Sequence, residues 1–501
     1  MRSLNKRIRQ LFIGTAAICF WLLVWHFLAE KIDSTIFLPT PEDTFRTLVN
    51  LSKRESFWQT IFSSFTRIVK GFLFAAICGL ILAVVSAFCK IIRMLLSPFM
   101  KLIKAVPVAS FIILALLWID SENLSVLISF IMVLPVIYIN VAQAFEHVDK
   151  NMLEMAKVFR MSVGRKIRFL YMPDVLPSFI AACKIGLGFC FKSGIAAEVI
   201  GLPAKSIGGE LYKSKLYLMT DELFAWTIVI ILMSVFFEGI CIYILNKLSM
   251  TAKRVHRVSF DKTRVKGAED INYTGMEGNA ENRKCTESKI SVADRNRGSF
   301  EIRLNGINKS FGRQNVLKNV NLTVKSGIPK CIMGTSGAGK TTLLKIVLGM
   351  MKPDSGQVII PDGKRISAVF QEDRLIEDAD VYTNIYCVLG GAFDRRIVDK
   401  HLEMTGLCGT GDKTVNELSG GMKRRIAVIR AILADSEIIV LDEAFKGLDN
   451  ESRDIVIRYI RKYCVDKVII LVSHDRTEGE KMGADIVDLN DINEVKVNAS
   501  K

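Results

Sequence analysis

The chain has 501 residues, more than one hydrophobic core usually supports, so two or more domains are expected. Half of the residues are hydrophobic, and the long apolar runs lie in the first half, whereas the second half has the composition of a soluble domain. The net charge of +16 does not indicate a nucleic-acid partner, because much of the excess lies in loops between apolar runs, and the eleven cysteines lack the spacing of a disulfide framework or a metal site.

Six apolar runs predict an α-helical membrane domain over residues 1–255, because each is near the ~20 residues that cross a bilayer. The predicted spans cover 11–28, 68–88, 105–119, 125–145, 178–200 and 223–246. The first run could instead be a signal peptide, but it is long for one and lacks a small-residue cleavage site. Basic loops alternate with an acidic one, so the positive-inside rule places both ends of this domain in the cytoplasm.

The basic loop 146–177 carries a pattern of its own. It resembles the coupling loop of ABC importer permeases, E-A-A-x-x-x-G followed by a hydrophobic stretch and L-P, with Arg160 where that family usually has glycine. The residues assigned to this coupling loop are Glu154, Ala156, Gly164 and Pro173. The resemblance implies contact with an ATPase domain, whereas the alternative is a plain basic loop at lipid headgroups.

Three further segments resemble the aliphatic sulfonate, nitrate and taurine branch of these permeases. They are residues 37–41 (FLPTP), 64–72 (SFTR followed by GF) and 197–201 (AEVIG). The resemblance implies a small anionic solute, an extracytoplasmic solute-binding protein and a place among the lipids of a bacterial cytoplasmic membrane. Glu198 is expected near the outer surface, where the alternative to a functional role is an ordinary solvated loop carboxylate. The sequence assigns no side chain to the solute.

Three charged residues inside predicted spans need a partner or water, since each costs roughly 2.5–3.5 kcal/mol on insertion scales: Lys184, Lys192 and Glu238. Lys184 and Glu238 fall at similar depth in the last two spans, which suggests an ion pair between them. The alternative is that Lys184 extends its ammonium group to the inner surface.

Residues 256–300 are polar and charged, with few large apolar side chains. Such a segment cannot bury a core, so we expect a flexible linker between the membrane domain and a second domain over 301–501.

The second domain contains G-T-S-G-A-G-K-T, a full match to the phosphate-binding loop, between an apolar strand pattern and a helical pattern. Glycines let backbone N–H groups turn around an anion, the helix N-terminus favours the same charge, and the lysine reaches the phosphates. The predicted nucleotide-binding residues are Gly334, Thr335, Ser336, Gly337, Ala338, Gly339, Lys340, Thr341 and Thr342. The motif predicts ATP as ligand, with the Thr341 hydroxyl on Mg²⁺.

Further motifs follow in the order found in ABC ATPases, which this half of the chain resembles. The resemblance implies that Phe311 stacks on adenine, although it could be an ordinary hydrophobic turn residue, and that Gln371 contacts Mg²⁺ and the attacking water. It assigns the LSGGM signature and the D-loop aspartate to the nucleotide of a partner subunit, through Ser419, Gly420, Gly421 and Asp449. At the end of an apolar strand Asp442 is the Mg²⁺ carboxylate and Glu443 the general base, with His474 sensing the γ-phosphate.

The sequence thus predicts a six-span membrane domain, similar to type I ABC importers, fused to an α/β P-loop ABC ATPase domain. Two copies of each are needed for a complete machine, so a homodimer is the simplest assembly. The expected activity is ATP hydrolysis coupled to import. The alternatives are an ABC exporter, although the spans are only bilayer-length, and a membrane-anchored regulatory ATPase that moves no solute.

Overall fold

A computed structural model describes residues 2–32, 34, 36–258 and 299–494. The chain separates into two compact units: the first joins Met1–His147 to Pro173–Thr251, and the second joins Val148–Met172 to Ala252–Lys501. A segment from the middle of the membrane half, residues 148–172, thus belongs to the second unit. We call residues 148–172 the coupling segment.

The first 258 residues are helical almost throughout, apart from a short π-helical stretch at Ile167–Tyr171. The α-helices are α1 (Arg2–Ile32), α2 (Pro41–Ser52), α3 (Glu55–Phe88), α4 (Lys90–Ala105), α5 (Val108–Ala115), α6 (Ser121–His147), α7 (Lys150–Val158), α8 (Val163–Lys166), α9 (Met172–Gly201), α10 (Ile207–Leu216) and α11 (Thr220–Val258). Helices α7 and α8 belong to the coupling segment.

Among the described residues, five helical stretches are long and apolar enough to cross a membrane. These stretches are Thr15–Ile32, Glu55–Phe88, Ser121–His147, Val163–Gly201 and Thr220–Lys247. A sixth span exists only if α4 and α5 count together, and these two are bent by 101°. The predicted span 105–119 includes α5, whose eight residues, at 1.5 Å per residue, are too short to cross a bilayer without α4.

Helices α3 and α6 pack closely because small residues face the contact. A Cβ on Gly71 would lie 2.5 Å from the carbonyl oxygen of Val126 and 2.7 Å from Cβ of Ser129. Glycine thus permits an approach of the two backbones that any side chain would block, as is common between helices in lipid.

A buried ionic network joins α3, α6, α9 and the start of α10. The Glu198 carboxylate is fully buried and accepts hydrogen bonds from Ser64 Oγ (2.7 Å), Arg67 Nε (3.2 Å) and the backbone N–H of Gly208 (3.3 Å). Arg67 also donates to the Glu122 carboxylate at 2.7 Å. Glu198 is therefore not a solvated surface carboxylate; two of its partners, Ser64 and Arg67, come from the segment 64–72.

The predicted pair between Lys184 and Glu238 was wrong. Both side chains are exposed on their helices, and among the described residues no ion pair joins them. Counting residues from the ends of the two spans gives no information on the direction in which each side chain points.

The second unit contains two β-sheets flanked by helices. In chain order its elements are β1 (Glu301–Phe311), β2 (Gln314–Lys325), β3 (Lys330–Met333), α12 (Lys340–Val347), β4 (Ser355–Ile359), β5 (Ile366–Val369), α13 (Val381–Leu389), α14 (Arg395–Met404), α15 (Gly420–Leu433), β6 (Ile438–Asp442), α16 (Asn450–Tyr463), β7 (Val468–Val472), α17 (Arg476–Met482), β8 (Asp485–Asp488) and α18 (Leu489–Ile492). The antiparallel sheet has the order β2-β1-β4, and the parallel sheet has the order β5-β6-β7-β3-β8.

The parallel sheet positions the functional loops. Its central strands β6 and β7 are buried along their length, apart from the half-buried Asp442, which explains their continuous apolar sequence. Because the strands are parallel, the loops that leave β3, β6 and β7 emerge at one edge of the sheet. The predicted linker 256–300 lies, apart from its ends, outside the described residues.

Candidate active site

The loop between β3 and α12 is shaped by its glycines and its lysine. Gly334, Gly337 and Gly339 have φ of 142°, 85° and 98°, values that favour glycine. Lys340 is buried, and its Nζ donates to the carbonyl oxygens of Gly334 (2.6 Å) and Thr335 (2.9 Å). Burial lowers the pKa of Lys340, although Glu443, Asp488 and Asp442 oppose that shift. The loop backbone thus surrounds the Lys340 ammonium group, and α12 begins at the same residue.

The predicted Mg²⁺ ligands line one cavity of about 180 Å³. Thr341, Gln371 and Asp442 all line it, although they come from three different parts of the sequence. Hydroxyl, amide and carboxylate oxygens are the donors that Mg²⁺ prefers, so this set fits the ion. Burial, followed by the charge of Glu443, raises the pKa of Asp442 to about 6.

Glu443 follows β6 in a strained conformation. Its φ is +50°, and its N–H donates to the carbonyl oxygen of Val472 at 3.0 Å, which fixes it beside the end of β7. Its carboxylate lies 3.2 Å from Nε2 of His474 and 3.0 Å from Nζ of Lys446. Burial tends to raise the pKa of Glu443, but the hydrogen bonds and charges of Lys446 and His474 outweigh it, so the pKa is lowered.

Of the predicted residues, only Thr341, Gln371 and Asp442 line this cavity, so Glu443 and His474 lie outside its lining. Phe311 ends β1 with its ring half exposed. Ser419 caps α15 through its side chain, which accepts from Met422 N–H at 3.4 Å, so Gly420 and Gly421 form the first turn of that helix. The Asp449 carboxylate caps α16 by accepting from Ser452 N–H at 2.7 Å, and this bond lowers its pKa.

Two buried arginines of α15 hold the backbone around Gln371, and sequence reasoning missed both. Arg424 donates to the carbonyl oxygens of Phe370 and Gln371 (both 2.6 Å). Arg430 donates to the carbonyl oxygens of Asp373 (2.9 Å) and Arg374 (2.7 Å). Helix α15 is therefore held to the segment 370–374 by hydrogen bonds from two of its arginines. Their spacing of six on one helix was visible in the sequence, but their partners lie more than 50 residues away.

The coupling segment lies against this same region. Arg374 Nη2 is 3.1 Å from the Glu154 carboxylate, and its guanidinium stacks on Phe370 at 4.0 Å. Asn151 donates to the Glu372 carboxylate at 3.0 Å and lines the same cavity as the Mg²⁺ ligand set. The guanidinium of Arg430 lies 5.5 Å from the Phe159 ring.

The other assigned residues of the coupling loop differ in their surroundings. Ala156 is fully buried. A Cβ on Gly164 would meet nothing within 4 Å, so no close approach requires glycine there. Pro173 lies inside the helical stretch Val163–Gly201, two residues after the π-helical residues Ile167–Tyr171.

Arg160 itself makes the turn for which importer permeases use glycine. Its φ is +49°, and its N–H donates to the carbonyl oxygen of Lys157, while Met161 N–H donates to that of Ala156. This pair of bonds is the Schellman ending of α7. The turn therefore forms at Arg160 although the residue there is not glycine.

Replacing Arg160 by glycine is expected to stabilise the second unit. A left-handed conformation costs a non-glycine residue roughly 1–2 kcal/mol. This cost exceeds the free energy contributed by the exposed hydrogen bond from Arg160 Nη2 to the Lys364 carbonyl oxygen at 3.3 Å. Thermal unfolding of the full chain should show Arg160→Gly above Arg160→Ala, because both lose the side chain and only one relieves the backbone. Equal melting temperatures for the two variants would contradict this account.

Comparisons with known proteins agree with this division of the chain. Residues 75–254 match the family described as binding-protein-dependent transport system inner membrane component, and residues 317–446 match the ABC transporter family. Similar proteins include the Nod factor export ATP-binding protein I of Rhizobium sp. (strain N33), 35% identical over 36% of this chain and 65% of that protein. The sulfate/thiosulfate import ATP-binding protein CysA of Methylococcus capsulatus is 34% identical over 38% of this chain and 60% of that protein.

Two solved structures are also similar to part of the chain. The dimeric structure of MJ0796, a bacterial ABC transporter cassette, is 27% identical, with a TM-score of 0.35, covering 38% of this chain and 94% of that one. The post-hydrolysis state of MJ0796 bound to ADP and Pi is 28% identical, with a TM-score of 0.34, covering 37% and 93%. The chain spans about 60–65% of the length of the curated relatives above. One polypeptide thus contains a segment that matches an inner membrane component of binding-protein-dependent transport systems and a segment that matches the ABC transporter family.

Proposed function

We propose that the chain is an ATP-driven importer subunit that moves a small solute across the cytoplasmic membrane by alternating access. One observation carries the proposal: Asn151 of the coupling segment lines the same cavity as Thr341, Gln371 and Asp442. A segment that is covalently continuous with α6 and α9 therefore lines the cavity that contains the proposed Mg²⁺ ligands. The membrane-domain match to binding-protein-dependent systems favours import over export.

The proposed chemistry is hydrolysis of ATP at the phosphate-binding loop. Backbone N–H groups of residues 334–341 and the Lys340 ammonium hold the phosphates. Mg²⁺, held by Thr341, Asp442 and Gln371, would neutralise phosphate charge. Glu443 accepts a proton from water, the water oxygen bonds to the γ-phosphorus, and the bond to the ADP oxygen breaks. His474, next to Glu443, orients that carboxylate toward the γ-phosphate.

The proposed assembly is a homodimer of this chain. Ser419, Gly420 and Gly421 form a helix N-terminus suited to an anion, yet they do not line the cavity that holds the Mg²⁺ ligand set. They are therefore available to the nucleotide of the other copy, as is the segment that ends at Asp449. Because a C₂ pair uses one patch twice, a single chain type completes both sites.

The proposed solute is a small anion of the sulfonate, nitrate or taurine class, delivered by an extracytoplasmic binding protein. Three segments of the membrane half support this class: residues 37–41, 64–72 and 197–201. Two of them, 64–72 and 197–201, meet in the network between Arg67 and Glu198, so the resemblance falls on residues that pack together.

Uptake of a labelled solute into proteoliposomes tests the coupling. Glu154→Ala should lower uptake per ATP hydrolysed several-fold, because it removes the carboxylate that lies 3.1 Å from Arg374. The control is Glu55→Ala, an exposed carboxylate in the first turn of α3. If Glu154→Ala and the control transported equally well per ATP, the coupling segment would not transmit the change.

A further inference from the structure

We propose that Lys446 is a positioning residue that restrains Glu443 until two cassettes close on each other. The inference rests on the proposed role of Glu443 as general base. It starts from the carboxylate: one oxygen is 3.0 Å from Lys446 Nζ and the other is 3.2 Å from His474 Nε2. Each oxygen of the proposed base therefore has a partner of its own.

The position of Lys446 is fixed by the backbone of the same turn. Its N–H donates to the carbonyl oxygen of Glu443 at 3.1 Å, which closes residues 443–446 into a turn. The two residues between them, Ala444 and Phe445, are fully buried and anchor the turn to the core. The Lys446 ammonium group thus lies beside the Glu443 carboxylate because both residues belong to one turn.

The same turn leads directly into the segment that ends at Asp449. Gly447 follows with φ of 76°, and Leu448 N–H donates to the carbonyl oxygen of Phe445 at 3.3 Å. A displacement of this segment when two cassettes close would draw Lys446 away from Glu443. The carboxylate would then be free to accept the proton of the attacking water. Lys446 accordingly keeps hydrolysis low until closure.

A releasable restraint requires an exposed lysine and a mostly buried carboxylate, and Lys446 and Glu443 differ in this way. Glu443 is 15% exposed, whereas Lys446 is 61% exposed. The lysine can therefore leave into solvent without disturbing the core, and the base stays in place. Partly exposed pairs of this kind contribute at most about 1 kcal/mol, equivalent to about five-fold in rate.

Basal ATP hydrolysis by the full chain in lipid nanodiscs, without any binding protein, tests the inference. Lys446→Met should raise the basal turnover about two- to five-fold with the KM for ATP unchanged, and Lys446→Arg should restore the low rate. The matched control is Lys481→Met, which breaks an exposed pair with Asp454 of 2.7 Å and should leave the rate as it is. In a Glu443→Gln background, Lys446→Met should add nothing.

The outcomes separate this inference from the proposed role of Glu443. An unchanged or lower rate for Lys446→Met, in a protein with the wild-type melting temperature, would overturn the restraint. Activity retained by Glu443→Gln alone would instead refute the general base itself. An equal rise in Lys446→Arg would also overturn the restraint, because arginine keeps the positive charge.

Discussion

Glu443→Gln is expected to lower ATP hydrolysis at least about 100-fold while ATP binding is preserved. The amide keeps the size of the carboxylate but cannot accept the proton of the attacking water. Binding survives because Lys340 and the loop glycines hold the phosphates, and Glu443 lies on a different strand end. Phosphate release and equilibrium binding of a fluorescent ATP analogue, each measured on the full chain in nanodiscs, give the two quantities separately.

The control for this variant is Glu480→Gln. Its carboxylate is 59% exposed on α17 and pairs with Arg476 within the same helix, so hydrolysis should be unaffected. If Glu443→Gln hydrolysed ATP within about ten-fold of wild type, another group would have to activate the water.

Arg430→Met is expected to destabilise the second unit by about 2–4 kcal/mol. The guanidinium is fully buried, and its loss leaves the carbonyl oxygens of Asp373 and Arg374 without their donor. Methionine fills similar space, so the loss comes from unpaired polar groups and not from a cavity. For a domain of this size the melting temperature should fall by roughly 5–15 °C.

Thermal unfolding of the full chain measures this, with Arg461→Met as control. Arg461 is exposed on α16 and makes one hydrogen bond of 3.3 Å, to the carbonyl oxygen of Lys481. Melting of Arg430→Met within a degree of the control would show that α15 does not hold the segment 370–374. Since that segment also contacts Glu154 through Arg374, we expect Arg430→Met to lower uptake per ATP as well.

The nucleotide site was the part most open to prediction from the sequence. The phosphate-binding loop is a local motif, and its glycine spacing fixes both the loop and the helix start after it. The strand that ends at Asp442 was visible as an apolar run, because a central parallel strand is buried on both faces. Such features depend on near neighbours in the chain.

The features that escaped prediction depend on distant residues. Arg424 and Arg430 look like ordinary helix surface charges until their carbonyl partners, more than 50 residues away, are known. Glu198 looks like a loop carboxylate because Ser64, its partner, lies 134 residues earlier. Arg160 lacks the glycine that marks a left-handed turn, so the residue type concealed the conformation.

The bend between α4 and α5 also escaped prediction. Hydropathy reports the length of an apolar run and not the direction of the chain. The 101° bend between Lys90–Ala105 and Val108–Ala115 therefore leaves no mark in the hydropathy pattern.

The measurement that tests the central claim most directly is ATP hydrolysis by the chain in lipid nanodiscs with a candidate binding protein. Wild type and Glu443→Gln are compared with a panel of small sulfonates, taurine and nitrate, each with and without the binding protein. The account predicts hydrolysis that needs Glu443 and rises only when the binding protein is loaded with one class of solute. Hydrolysis that needs Glu443 but ignores every loaded binding protein, and rises instead with hydrophobic compounds, would contradict import and indicate an exporter.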